Sequence, residues 1–367
     1  MKIIEAHHIF DNPLPQLKSR QSYFPFACEC KDGTLVAFTY IGEAMESMDA
    51  MTYVCRSQDG GRTWSKPVPL LDRSQFSFVI SDSCKPAVLK DGRIAVIGYG
   101  YIREDPELPQ GNPETGGLLD DIVFWLISED NGLTWSKARE INCAWGRHVE
   151  ASAPLTILQD GTWITPITGF PKWDGTMTGR LCGRALRSED EGKTWNDDAV
   201  CMEFPQDQVL CYEQRMCQLD SGAIVCIGWN ENTATGQRLA NHYTVSYDNG
   251  HTWSKPVSTG IMGQASSVCA IGGEKLLALH AVRRDTDRPG IYAYVVDFSQ
   301  GTWNMIDHAI VWEPNMPITR DSKMADVFSF LKFGQPGAIR LSDGDILMTH
   351  WYADNGACKT AATRIRL

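Results

Sequence analysis

Eight residues recur four times along this chain. Ser57-Gln-Asp-Gly-Gly-Arg-Thr-Trp64 returns at Ser128 to Trp135, Ser188 to Trp195 and Ser246 to Trp253, always as Ser-x-Asp-x-Gly-x-Thr-Trp. An eroded fifth copy closes at Gly301-Thr-Trp303. The chemistry is that of a tight hairpin turn: Ser and Asp side chains bond back to nearby amides, Gly takes positive φ, and Trp anchors the turn in apolar surface. Asp59, Asp130, Asp190 and Asp248 would be four copies of one site if they were catalytic, so they are read as structural.

A second repeat interleaves with the first. Lys31-Asp-Gly-Thr-Leu35, Lys90-Asp-Gly-Arg-Ile94, Gln159-Asp-Gly-Thr-Trp163, Asp220-Ser-Gly-Ala-Ile224, Gly272-Gly-Glu-Lys-Leu276 and Ser342-Asp-Gly-Asp-Ile346 each lie between two short, mostly apolar stretches, which reads as strand, turn, strand. Two hairpins per unit make a four-stranded antiparallel sheet. Six units spaced roughly 50 to 70 residues apart predict an all-β chain, a six-bladed β-propeller built as a single domain over residues 1–367. Only one strand, Cys358 to Leu367, follows the sixth inner hairpin, and Lys2 to Phe10 has no blade of its own, so the N-terminal strand is expected to complete the last blade. Two long excursions stand out, Ile102 to Leu119 and Asp307 to Lys332. Long loops in compact folds often carry function.

The charge balance, 34 Lys plus Arg against 45 Asp plus Glu, gives −11 without a basic block, which argues against nucleic acid as a partner. No secretory leader or membrane-spanning apolar run is evident, so a cytoplasmic location is expected. The twelve cysteines are scattered singly and read as reduced core residues rather than a disulfide framework or zinc site. No nucleotide-binding loop or metal-ligand motif indicates a cofactor or a metal. The oligomeric state stays open.

A propeller's pocket lies at one end of its axis, beside the starts of the innermost strands. Nine residues before the Gly of each turn stand Phe24, Ser83, Ser152, Glu213, Gln264 and Gln335, and two residues on, sharing their face, Phe26, Lys85, Pro154, Arg215, Ser266 and Gly337. This register gathers Glu213, Lys85 and Arg215 about the axis. Two cations flanking a carboxylate suit an acidic sugar, by charge-assisted hydrogen bonding.

With Asp-boxes on a six-bladed propeller, the chain resembles the sialidase superfamily over essentially its whole length. The resemblance implies a sialidase-like propeller and a glycoside hydrolase, and it assigns roles position by position. Ser22-Tyr23-Phe24-Pro25 matches the first-blade motif, with Tyr23 where the first arginine of the carboxylate-binding triad stands. Glu213 matches the glutamate that activates the tyrosine nucleophile, Trp229 takes the place of the second arginine, and Gln335 that of the nucleophile. Asp49, beside Glu43 and Glu46, matches the general acid. The departures imply an exo-acting hydrolase that removes a terminal acidic sugar from a small oligosaccharide or glycoside and is not a typical sialidase.

His148 and Glu150 precede the third inner strand with the facing parity of Ser152, which makes Glu150 the second carboxylate of a pair suited to glycoside hydrolysis. Tyr212, Tyr101, Arg103, His280, Arg283 and His350 lie at strand ends facing the same way, and Trp173, Trp229 and Trp351 are placed to stack on sugar faces. The catalytic candidates are therefore Glu213, Asp49, Glu150 and His148; those for substrate binding are Lys85, Arg215, Tyr23, Tyr212, Trp229, Gln335, His350 and Tyr101. Two other readings fit the same residues: a propeller that binds glycans or protein without catalysis, and a lyase with His or Tyr as base.

Overall fold

The strands form where the two repeats place them. In a computed structural model that describes residues 1–204, 208–284, 286–315 and 331–367, every Asp-Gly turn joins the two inner strands of a blade and every Asp-box follows a third. The N-terminal strand is β1 (Lys2–Phe10). Blade one is β2 (Gln21–Glu29), β3 (Leu35–Gly42), β4 (Met51–Ser57) and β5 (Val68–Pro69), and blade two β6 (Val79–Val88), β7 (Ile94–Arg103), β8 (Asp121–Ser128) and β9 (Arg139–Ile141). In blade three the innermost strand is split into β10 (Val149–Glu150) and β11 (Thr156–Ile157), both paired with β12 (Trp163–Gly169), which leads to β13 (Gly183–Ser188) and β14 (Asn196–Met202). Pro154 interrupts it, having no N–H to give to a ladder.

Blade four holds β15 (Val209–Gln218), β16 (Ile224–Asn232), β17 (Gln237–Ser246) and β18 (Val257–Ser258); blade five holds β19 (Gln264–Gly272), β20 (Lys275–Val282), β21 (Gly290–Asp297) and β22 (Asn304–Trp312). Blade six is β23 (Phe333–Arg340), β24 (Ile346–Asp354) and β25 (Ala357–Arg366), and β1 lies along β25 with Lys2 opposite Arg366 and Phe10 opposite Thr360. Since β22 runs to Trp312, the second excursion begins after that residue rather than at Asp307; residues 316–330 within it lie outside the described ones.

Apolar side chains from facing blades fill the spaces between sheets. One such layer joins Ile97, Val123 and Trp125 of blade two to Trp163, Ile167 and Leu186 of blade three. The twelve cysteines are all free thiols, ten of them buried.

The Asp-boxes behave as one device repeated. In the first, Ser57 Oγ accepts the Gly61 N–H (2.9 Å) and donates to Asp59 Oδ1 (2.8 Å), Asp59 accepts from the Thr63 amide (2.9 Å) and hydroxyl (2.6 Å), and Trp64 Nε1 donates back to Gly61 O (3.0 Å). The serine and aspartate bonds recur in the boxes at Ser128, Ser188 and Ser246. Their donors and acceptors are used up within the turn.

Candidate active site

The innermost strands are irregular where the rim is regular. In blades one, four, five and six the ladder slips by one residue near the strand's start, and a non-glycine residue there takes a left-handed conformation: Phe24 (φ 50°), Glu213 (φ 42°), Ala265 (φ 41°) and Gln335 (φ 40°). Such a conformation costs on the order of 1–3 kcal/mol and persists only where its surroundings over-determine it. A bulge of this kind re-aims a side chain, here toward the axis. In blade five the bulged residue is Ala265, one place beyond Gln264, because its inner turn has a different register.

Glu213 stands at the bulge of β15. Its Oε2 accepts the indole N–H of Trp229 on β16 at 2.7 Å and its Oε1 the amide of Gln335, from blade six, at 2.5 Å. Trp229 is fixed in turn by Tyr212, whose ring lies parallel to it at 4.0 Å. Four of the residues singled out in the sequence thus form one unit, with the carboxylate oriented by two donors.

Glu150, on β10, comes into electrostatic contact with Glu213; burial and then the charge of Glu213 raise its carboxyl to about 7. Both side chains are half-buried, touched by solvent yet surrounded by protein. Lys85 (2% exposed) and Arg215 (4% exposed) lie below them. Their hydrogen bonds go to neutral oxygens: Lys85 Nζ to Phe24 O (2.7 Å), Arg215 Nη1 to Ser152 Oγ (3.2 Å) and Gln214 O (2.8 Å). Burial, followed by the repulsion of Arg215, lowers the Lys85 amine to about 7. Tyr101 joins this group, buried edge-on against Tyr99 at 5.6 Å, its hydroxyl pushed up by burial and by nearby acids including Glu150.

Other candidates are placed elsewhere. Asp49 is exposed, and its carboxylate accepts the Glu43 N–H at 3.1 Å. The acid of that loop that reaches blade two is Glu46, which accepts the Gln110 N–H (2.9 Å). His148 Nε2 pairs with Asp120 at 3.1 Å. Tyr23 is buried edge-on against Trp351 at 5.2 Å, so at that bulge it is Phe24 that faces the axis. His350 of blade six is buried between Trp312 of blade five (5.2 Å) and Tyr352 (5.7 Å). Arg103 ties down loops through Glu46 O (2.8 Å) and Leu108 O (2.7 Å).

Two residues outside the candidate list belong to the site. Tyr99, half-buried, pairs with Ser83 across the β6–β7 ladder and lies in the field of Glu150 and Glu213. Carrying the axial register across to the second strand would have found it. Arg283 (5% exposed) donates Nε to Phe333 O at 2.6 Å and feels Glu213, while its two terminal nitrogens have no hydrogen-bond partner among the described residues. A Cβ on Gly334 (φ 155°) would stand 1.7 Å from Arg283 Nη2, so this guanidinium requires a glycine there.

Loops of three blades close around this end. The blade-two excursion touches blade one through Gln110, whose side-chain amide donates to Tyr40 Oη on β3 (3.2 Å), and the blade-three loop through Leu118 N–H to Pro171 O (3.0 Å) and Asn112 Nδ2 to Trp173 O (2.9 Å). A cavity of about 480 Å³ lies further along the axis, beyond Arg215, walled by residues such as Phe26, Pro86, Pro154 and Cys217. The acid on its rim, Glu29, is held by Ser342 (2.6 and 2.8 Å). The chemically equipped end is therefore that of Glu150 and Glu213.

The sequence model of BNR repeat-like domains matches residues 109–311, more than half of the 367. No curated protein matches the chain in sequence. Among solved structures, a Dyadobacter fermentans protein of unknown function superposes with a TM-score of 0.76 at 17% identity, over 100% of this chain and 99% of that one. The Hadza microbial sialidase Hz136 gives 0.66 at 15% identity, over 95% of this chain and 66% of its own. NanB sialidase from Streptococcus pneumoniae gives 0.65 at 12% identity, over 98% and 70% respectively. At these identities the likeness is one of fold.

Proposed function

The chain belongs to the family of BNR repeat-like domains and has a sialidase-like propeller fold, and from that premise we propose that it is a glycoside hydrolase acting on a terminal, acidic sugar of a small oligosaccharide or glycoside. The observation that carries this reading is the pair Glu150 and Glu213, the first carboxyl raised by burial and by the charge of the second, the second oriented by the Trp229 and Gln335 donors. A carboxyl kept protonated by burial and a neighbouring carboxylate is suited to act as acid, which leaves the second group the part of base or nucleophile.

Glu150, protonated up to about neutral pH, gives its proton to the departing glycosidic oxygen. Glu213, turned toward the axis by its bulge and by the Trp229 and Gln335 donors, either takes the proton of the attacking water or attacks the sugar itself. Arg283 supplies the free guanidinium nitrogens that a sugar carboxylate would use, by charge-assisted hydrogen bonds. Gln335 in place of a tyrosine nucleophile supports a substrate other than sialosides.

The test is a screen of aryl glycosides of uronic, sialic and neutral sugars with the wild type, Glu150→Gln and Glu213→Gln. Turnover of an acidic glycoside, lost in both variants, is expected. Calorimetric binding of a glycan with no turnover over long incubation would instead assign a glycan-binding propeller. Cleavage that yields an absorbing unsaturated product would assign a lyase.

A further inference from the structure

The bulge that turns Glu213 toward the axis sets two residues, Glu213 and Gln214, opposite the single Gly228 of β16. Gln214 (2% exposed) goes the other way, into the gap between blades three and four, where its amide is used at both ends. Nε2 donates to Thr168 Oγ1 on β12 (2.8 Å) and at longer range to Cys211 O (3.5 Å), while Oε1 accepts from the thiols of Cys201 on β14 (3.3 Å) and Cys226 on β16 (3.7 Å). Two glycines make room for it. A Cβ on Gly183 would fall on the Gln214 amide atoms, and one on Gly228 would stand 3.0 Å from its Cγ.

A bulge as such does not call for this side chain. The residue after the left-handed one is Pro25 in blade one and Pro336 in blade six, where a ring fixes the backbone, and Ser266 in blade five, whose buried hydroxyl has no partner among the described residues. Only at Gln214 does a side chain in this position bond to the preceding blade. What it reaches there is the support of the other acid. Thr168 stands opposite Glu150 in the two-residue ladder of β10 with β12, and its own hydroxyl donates to Cys211 O (2.8 Å), on β15 just ahead of the bulge. A second tie runs through Arg215, whose Nη1 donates both to Ser152 Oγ, two residues beyond Glu150, and to Gln214 O.

We propose that Gln214 is a positioning residue that sets the separation of Glu150 and Glu213, tying the strand of the first to the bulge of the second through Thr168. The inference rests on these two acids being the reacting pair. Their separation matters because carboxyl groups about 5 Å apart let one attack the sugar, whereas a gap of about 6.5 to 9.5 Å leaves room for a water. A misplacement of about 1 Å can cost about a hundredfold in rate. Gln214 acts through the acids and not on the substrate, so its loss falls on kcat and leaves KM nearly alone.

Gln214→Met keeps the shape of the side chain without its amide, and Thr168→Val removes the hydroxyl at the other end of the bridge. On the glycoside that the wild type turns over, each should lower kcat by about tenfold to a hundredfold, with KM changed by no more than about threefold. The double variant should lose little more than either alone, since both cut one bridge. Thr168→Ser, which keeps the hydroxyl, should restore most of the rate. Full kcat in folded Gln214→Met, or Thr168→Ser as slow as Thr168→Val, overturns the proposal, with circular dichroism as the check on folding. If Gln214→Met does not fold, Gly183→Ala, whose methyl group must displace the amide, takes its place. In a chain that cleaves no glycoside the hydrolase reading fails, and crystal structures of the wild type and Gln214→Met then decide the bridge separately. A changed spacing of the two carboxyl groups keeps it, and an unchanged one overturns it.

Discussion

The rim of this propeller and its axis are built from the same blades and solve opposite problems. At the rim, four Asp-boxes place Ser, Asp, Gly, Thr and Trp in one arrangement, and their serine and aspartate bonds agree to within a few tenths of an ångström. At the axis the equivalent positions of the six blades are Phe24, Ser83, Ser152, Glu213, Ala265 and Gln335, six residues with six side chains but for the repeated serine. Four of them are strained into left-handed backbone, and the two cations beside them rest on neutral acceptors. Repetition here marks what the fold needs, and departure from it marks the residues that the proposed site uses.

Substitutions at the axis should therefore affect activity and leave stability nearly alone. Glu213→Gln and Glu150→Gln keep shape and should each lower kcat/KM by about a hundredfold or more, the usual worth of a positioned acid or base, with little change in melting temperature. A normal rate with a melting point several degrees lower would make Glu213 a structural partner of Trp229 and Gln335. Gly334→Ala is the next sharpest probe, because its methyl group must displace Arg283. Loss of one charge-assisted bond to substrate, about 1.5 to 3 kcal/mol, predicts a KM for acidic glycosides raised on the order of tenfold to a hundredfold, and no rise for neutral ones.

Buried histidines cross the division between the two regions. His280 accepts from the Asn241 amide at 3.0 Å and His350 is enclosed by rings; burial lowers both to about 3. The unfolded chain binds protons at these residues below about pH 6.5 and the folded one does not, so stability present above that pH is lost as pH falls toward 3. Each should contribute a loss of about 2 kcal/mol between pH 7 and 5, read by urea unfolding at the two pH values. His350→Leu should flatten the curve by its share. A flat wild-type curve would show that these rings find protons in the folded state.

The blades were legible because turn chemistry is local: Asp-Gly and the Asp-box each fix a hairpin within a few residues. Glu213, Lys85 and Arg215 were legible because strand alternation projects residues from a turn to the axis. Glu150 was reached by the same parity, although β10 is broken from β11. What sequence spacing could not show is which neighbour a side chain finds across a gap between blades. His148 meets Asp120, Tyr23 turns into packing, and Asp49 caps its own loop, each through a contact that parity does not contain. Arg283 gave only a strand-end position, since its value depends on Gly334 of the next blade leaving room for it.

The smallest effect expected is also the cleanest test of the rim. Ser246 is buried, and its hydroxyl accepts the Gly250 N–H at 2.9 Å while donating to Asp248 at 2.8 Å. Ser246→Ala leaves a buried amide without its acceptor, a cost of about 1 kcal/mol, which in a chain of this size lowers the melting temperature by roughly 1 to 3 °C. The corresponding alanines at Ser57, Ser128 and Ser188 should each do the same. Because the four serine hydroxyls lie on separate blades and each bonds only within its own turn, the costs should add to about 4 kcal/mol in the quadruple variant, with the Glu150 and Glu213 chemistry untouched. A quadruple variant that loses much more than the sum, or one whose turnover falls with its first substitution, would mean that the rim turns communicate with the axis and that the separation between the two regions is wrong.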